Sequence, residues 1–266
     1  MTDLSLAFGI QRLTTTDASI QTDDLAHEAL IRLQDANGTF VSLLGTPENL
    51  RSLFIGHCAT EGYGEMNQAK LTTTTSKEHG YVVLSSDTLP NPPSTVNAER
   101  YVSTSCGACD SPGLEDLING LPTYLGEHRA VDLIILDAGF SAMKKMQVGF
   151  QTTGGMHGAG LLMPNTGLTY VAEDIGRHNA VDKVVGMALV NRTIEAKTIL
   201  LLSGRCGWDI VAKSARAGIG TIACVGACSS LAAETARALG IRIFSFVKPS
   251  SCVAIGAIGA SPNGKP

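Results

Sequence analysis

Cys106-Gly107-Ala108-Cys109 places two thiols three positions apart in a polar stretch, a spacing that can bind metal, exchange disulfides or carry sulfur. A structural zinc site takes four ligands, and neither a second Cys-x-x-Cys nor a His-x-x-x-His accompanies this pair. A thioredoxin-like dithiol opens a helix just after a strand. Here the flanks Ser103-Thr104-Ser105 and Asp110-Ser111-Pro112-Gly113 read as loop. In the third reading one thiolate accepts a sulfane sulfur as a persulfide, and the second thiol resolves it by thiol–disulfide chemistry. A free thiol, with a pKa of ~8.5, is only a few per cent thiolate at neutral pH unless a neighbour lowers that value. Spacing alone favours redox or sulfur chemistry and leaves the three readings open.

A second group of residues suits anions. Asp174-Ile175-Gly176-Arg177-His178 follows one strand-like run and opens a helix, Ser203-Gly204-Arg205 follows the next and opens another, and Lys248-Pro249-Ser250-Ser251 follows the last. Ligands of open α/β sheets bind beyond the carboxyl ends of the parallel strands. Helix N-termini there offer free N–H groups and a partial positive charge. Arg177, His178, Arg205 and Lys248 add donors suited to phosphate. Singly, each is more simply a partner of Glu173, Asp174 or Asp209. Together, three basic turns on one sheet edge mark a pocket for a nucleotide-like anion. Thr153-Gly154-Gly155-Met156-His157 adds a Gly-rich turn whose histidine gains meaning from that company.

The elements that must position these residues are regular from about residue 151 onward. Residues 156–163 and 168–173 read as a hairpin around Pro164-Asn165-Thr166-Gly167, and Val181, Val184, Val185, Ala188 and Leu189 form a helical stripe. Residues 198–202 are a fully apolar strand, as in a sheet covered on both faces. A helix over 207–217, a strand over 221–225, a helix over 230–239 and a last strand over 241–247 follow. Such alternation gives parallel strands with right-handed crossovers. The expected fold is α/β, a three-layer α/β/α sandwich with a mixed sheet over residues 131–266. A smaller N-terminal α+β part over 1–130 carries the cysteine loop. Within it, residues 29–33 and 40–44 pair through Asn37-Gly38. Thr46-Pro47-Glu48 then opens a helix, with a hydroxyl cap, a proline at the first position and an acid in the first turn. This helix runs to about residue 58 and buries Leu50, Leu53 and Phe54. Residues 81–85 form a further strand, and the three prolines of 87–94 an extended loop.

Composition narrows the function classes. The 266 residues carry a net charge of -4, without the basic excess of a nucleic-acid binder. Apolar residues make up 44% and aromatics 5%, so the core is built from Val, Ile, Leu and Ala. No apolar run approaches the ~20 residues that span a bilayer. Met1-Thr2-Asp3-Leu4 lacks the blocks of a signal peptide, and seven cysteines, an odd number, fit a reducing compartment. The expectation is a cytoplasmic protein. Cys58, Cys224 and Cys252 read as core residues.

The combination resembles the FdhD family of formate dehydrogenase accessory sulfurtransferases along most of the chain. The segments that carry the resemblance begin with Gly45-Thr46-Pro47-Glu48-Asn49-Leu50, Glu61-Gly62 and Ser103-Thr104-Ser105-Cys106-Gly107-Ala108-Cys109. They continue with Thr153-Gly154-Gly155-Met156-His157, the long block Glu173-Asp174-Ile175-Gly176-Arg177-His178-Asn179-Ala180-Val181-Asp182-Lys183, and Ser203-Gly204-Arg205. The resemblance implies a protein that takes sulfur from a cysteine desulfurase onto Cys106, with Cys109 as partner. It implies transfer of that sulfur to the molybdenum bis-guanine-dinucleotide cofactor of formate dehydrogenase. Cofactor contact is implied for Phe246, Val247, Lys248, Pro249, Ser250 and Ser251, along with a cytidine-deaminase-type core and a homodimer. No permanently bound metal is expected. Two features depart from the family pattern: Lys248 and Ser251 stand where two arginines are usual, and Gly226-Ala227-Cys228-Ser229-Ser230 replaces a Ser-Ala-Pro-type turn with an extra cysteine.

Two other functions compete. A zinc deaminase needs His-x-Glu and Pro-Cys-x-x-Cys at successive helix starts. The matching positions read His178-Asn179-Ala180 and Cys206-Gly207-Trp208-Asp209, without the glutamate or the second cysteine. A non-catalytic protein that binds and escorts the molybdenum cofactor would need the basic turns alone, leaving the cysteines dispensable.

Overall fold

The computed structural model describes residues 4–64, 71–76, 81–86, 100–102, 118–191 and 194–256. Cys106, Cys109 and the loop over 87–94 lie outside the described residues.

Two sheets organise the chain. Strands β3 (Ala29–Asp35) and β4 (Gly38–Gly45) form the expected hairpin, and with β5 (Leu71–Ser76), β6 (Tyr81–Ser86) and β7 (Arg100–Val102) they build a five-stranded sheet in the order β5-β6-β3-β4-β7. Helix α1 (Leu50–Thr60) packs Leu53, Phe54 and Cys58 beneath Ile31, Leu33, Val41 and Leu84. Ahead of this unit, β1 (Ser5–Leu13) and β2 (Ala18–Ala26) form a separate antiparallel hairpin that the apolar pattern did not announce. Its Phe8, Leu13 and Ile20 side chains are exposed, so burial imposed no periodicity on them.

The second sheet has six strands: β8 (His157–Met163), β9 (Gly167–Asp174), β10 (Ile199–Leu202), β11 (Thr221–Cys224), β12 (Arg242–Lys248) and β13 (Ser251–Gly256), in the order β13-β12-β11-β10-β8-β9. β10, β11 and β12 are parallel, and an antiparallel strand lies on each flank. Helices cover both faces. Leu200, Leu202 and Ile222 meet α4 (Arg177–Val190), α5 (Trp208–Arg216) and α6 (Ser230–Ala238), whereas Ile199, Leu201 and Ala223 meet Leu136 and Met143 of α2 (Leu133–Met146). The short helix α3 (Val148–Thr153) follows α2. Sequence reading missed both helices and took β12 as the last strand. β13 pairs back on β12 through the turn at Pro249 and Ser250.

Helix α4 differs from the expected one-sided stripe. Ala180, Val181, Val184, Val185 and Ala188 face the large core, but Asn179, Asp182, Lys183 and Gly186 are buried too. Its other side meets α1 backbone to backbone. A Cβ on Gly56 would fall 1.7 Å from the Asp182 carbonyl oxygen, and one on Gly186 would fall 1.9 Å from that of Ser52. Glycine in a helix interior costs roughly 0.5–1 kcal/mol relative to Ala. Here only glycine lets the two helices approach this closely.

The start of α1 is a correction. Asn49, with φ 53°, occupies the N-cap, and the helix begins at Leu50 rather than at Thr46-Pro47-Glu48. Thr46 cannot cap because it is engaged elsewhere. Its N–H donates to Asp174 Oδ2 (3.0 Å) and its Oγ1 accepts from the Ile175 N–H (3.2 Å).

Candidate functional site

The carboxyl ends of β9, β10, β11 and β12 reach the same sheet edge, as does the start of β8, where His157 lies opposite Asp174. Three loops there are tied through their backbones. Gly226 donates to Gly204 O (3.1 Å), Phe246 donates to Gly226 O (3.1 Å) and Cys206 donates to Ala227 O (2.9 Å). Gly158 donates to Ser203 Oγ (2.8 Å), which fixes the start of β8 to the end of β10. The edge thus carries the N-termini of α4, α5 and α6 around a backbone-bonded rim.

Most of the anion candidates come together on this rim. A Cβ on Gly204 would lie 3.2 Å from His157 Nδ1 and 3.9 Å from Arg177 Cδ, so the glycine loop passes close against that histidine. Burial lowers the His157 pKa, and the charges of Arg177 and Arg205 lower it further against the opposing charge of Asp174. Arg205 is exposed. Arg177 lies 3.7 Å from Asp209, and His178 contacts the same carboxylate. Burial pushes His178 down to about 4 against the pull of Asp209, with Arg177 and Lys213 acting in the same direction as burial. For Arg177 and His178 the acid-partner reading therefore holds, with Asp209 as the acid. Two N–H donors on this edge, Arg177 Nε and Trp208 Nε1, are buried without a hydrogen-bond partner among the described residues.

The segment after β11 shapes the far end of the rim. Phe246 is 49% exposed and sits at φ 51°, in the left-handed region that bulky side chains avoid. The register of β12 against β13 shifts between Ser245 and Lys248, and that bulge turns Phe246 outward while Val247 stays buried. Lys248, Pro249, Ser250 and Ser251 are exposed on the turn to β13. A strained, solvent-facing aromatic ring is held there by the bulge and by the bond to Gly226. Sequence reading placed Phe246 in the ligand segment through resemblance alone, since no periodicity reports a positive φ.

The other two predicted acids do structural work. Glu173 accepts from the N–H groups of Gly149 and Phe150 (2.8 Å each) and so caps α3, while burial pushes its carboxyl pKa up. Asp174 binds the buried Lys183 (2.6 Å), and Lys183 also donates to Thr46 O (2.9 Å). Asn179 donates to Asp174 Oδ1 (3.1 Å) and Leu44 O (2.9 Å). A second buried network centres on Asp182, which accepts from Lys213 (2.8 Å) and Thr60 Oγ1 (2.6 Å) and lies 3.1 Å from His57 Nδ1. Asp174, Asn179, Asp182 and Lys183 of the long block that carries the family resemblance therefore join the two sheets.

The two-sheet architecture, with basic residues gathered at the carboxyl ends of the parallel strands, defines a mixed α/β protein. Within that class the chain belongs to the FdhD/NarQ family, whose description matches residues 26–255. It is 32% identical over 260 residues to the sulfur carrier protein FdhD of Corynebacterium efficiens, covering 90% of this chain and 92% of that protein. It is 44% identical over 158 residues to the sulfur carrier protein FdhD of Thermoplasma volcanium, a match spanning 58% of this chain and 55% of that relative. A putative formate dehydrogenase accessory protein from Desulfotalea psychrophila shares the fold, with a TM-score of 0.72 at 21% identity over 96% of this chain and 97% of that one. No helix among the described residues is long and apolar enough to cross a membrane.

Proposed function

We propose that this protein carries sulfur to the molybdenum bis-guanine-dinucleotide cofactor destined for formate dehydrogenase, with Cys106 as the carrier and Cys109 as its partner thiol. The Cys106 thiolate attacks the outer sulfur of a cysteine desulfurase persulfide. The desulfurase leaves as its thiolate, and Cys106 holds the sulfane sulfur. The cofactor is substrate here, and the strand-end rim is where it binds. Phe246 is the observation that carries this reading: its outward ring offers a stacking face to a guanine base beside Arg177, Arg205 and the unpartnered N–H donors. Lys248, Pro249, Ser250 and Ser251 flank that ring, Val247 anchors the strand beneath it, and His157 and His178 line the opposite end. The names of the curated relatives support the sulfur-carrier role.

The same reading makes the protein a cytoplasmic homodimer. The exposed apolar residues of β1 and β2, among them Phe8, Leu13 and Ile20, are a surface that a second copy would cover. The parallel strands β10, β11 and β12 beside the β8–β9 hairpin support the cytidine-deaminase likeness of the core.

Incubation with a cysteine desulfurase and L-cysteine should add one reductant-labile sulfur, mapped to Cys106 and absent from Cys106→Ala. Formate dehydrogenase activity that survives Cys106→Ala in cells would replace sulfur carriage with cofactor escort.

A further inference from the structure

A second pair of thiols sits on the rim. Cys206 and Cys228 face each other as an isolated parallel bridge between the loops that follow β10 and β11. Two backbone bonds close the bridge, Cys206 N–H to Ala227 O (2.9 Å) and Ser229 N–H to Cys206 O (3.1 Å). Bridge partners lie at the strand spacing of about 4.8 Å. That is inside the range of roughly 4.4–6.8 Å between Cα atoms that a disulfide requires. As direct partners across the bridge the two residues are paired, with the Cys206 thiol donating to Gly207 O (3.9 Å) and the Cys228 thiol to Ser229 O (3.4 Å).

The two sulfurs are not equivalent. Cys206 is buried at 1% exposure, whereas Cys228 is open to solvent on one side. The neighbouring Cys206 thiol lowers the Cys228 pKa. Cys228 in turn, followed by burial, raises that of Cys206. The accessible sulfur is the better anion, and the protected one waits beside it.

We propose that Cys228 and Cys206 form a thiol–disulfide exchange site for low-molecular-weight disulfides, with Cys228 as the attacking thiolate and Cys206 as the resolving thiol. Cys228 attacks one sulfur of the incoming disulfide, forms a mixed disulfide and expels the other half as a thiolate. Cys206, losing its proton to solvent, then attacks the Cys228 sulfur, closes the intramolecular disulfide and expels the second half. The two protein thiols are oxidised and the small disulfide is reduced to two thiols, so atoms and electrons balance. The closed bridge would pin the loop bearing Arg205 to the loop bearing Gly226.

The chain supplies its own reporter. Its one tryptophan, Trp208, lies two residues beyond Cys206 in the same buried cluster, where a new disulfide would quench its fluorescence. The full chain carrying Cys106→Ser and Cys109→Ser, which isolates this pair from the carrier chemistry, is treated with glutathione disulfide and peptide-mapped. The expected product is a Cys206–Cys228 cross-link without retained glutathione, with Trp208 emission falling and returning on reduction. Cys206→Ser should trap one glutathionyl group on Cys228, and Cys228→Ser should abolish the fluorescence change. Reaction at Cys228 should be on the order of tenfold faster than at the partly exposed Cys252, whose pKa burial raises. Glutathione retained on Cys228 while Cys206 is present would overturn the proposal, as would equal rates at Cys228 and Cys252.

Discussion

Helix α4 serves two neighbourhoods that treat charge in opposite ways. On its inner side, Asp182 and Lys183 are buried and fully engaged with α1, α5 and the end of β9. On its N-terminal side, Arg177 keeps a buried N–H without a partner among the described residues and faces a rim where Arg205 and Phe246 stand in solvent. Satisfied charges in the first place hold two sheets together. In the second, a strained ring and a basic side chain stand exposed and hold no elements together.

The sharpest break should come from Lys183→Met. It leaves Asp174 as an uncompensated buried carboxylate, and removing one partner of a buried pair costs about 3–5 kcal/mol. Urea unfolding should show a loss of that size, and a loss below ~1 kcal/mol would mean that this pair does not hold the junction.

Acid should act on the same side of the comparison. Burial pushes the Asp182 carboxyl up, but Lys213 and His57 outweigh it and hold the pKa at about 2 against an ordinary 3.8. A depressed folded pKa gives stability that is fully present above the unfolded value and lost as pH falls through the folded one. Titration from about 4 down to about 2 should therefore remove roughly 2 kcal/mol. Asp182→Asn should be less stable at neutral pH and should lose less across that window. An unchanged slope would assign the acid sensitivity to other groups.

On the rim the signs should separate. Phe246→Asn places a residue that tolerates positive φ where Phe is strained, so stability should rise by up to about 1 kcal/mol. Affinity for guanosine diphosphate, measured by calorimetry, should fall about tenfold through the lost stacking. Arg205→Ala should be the mildest change. It should alter stability by less than ~0.5 kcal/mol while weakening nucleotide binding and its salt dependence. Unchanged affinity in both variants would remove the rim as the binding site.

The parts of the fold that bury one repeating face were legible in the sequence. Residues 198–202 announced a covered strand, seen as Ile199–Leu202 with all four side chains buried, and Asn37-Gly38 announced its hairpin. The cap at Thr46 was misread for a physical reason, since a distant carboxylate, Asp174, outcompetes the local helix for that residue. The β1–β2 hairpin and β13 were invisible because their exposed side chains carry no periodicity. The rim was half legible: basic residues at strand ends pointed to it, and the bulge at Phe246 did not. The buried pairing of Asp174 with Lys183 was not legible, because charged residues dense in a helix usually face water and here they face another element.

Where Gly56 and Gly186 meet, main chain rests on main chain with no rotamers between to absorb movement. α1 and α4 therefore behave as a stiff joint. A tilt imposed on α4 by a ligand at Arg177 would pass into α1 and the sheet above it as a rigid swing. That sheet ends in β7, so a displacement at the start of α4 and one at the far edge of the N-terminal sheet are two ends of one mechanical linkage.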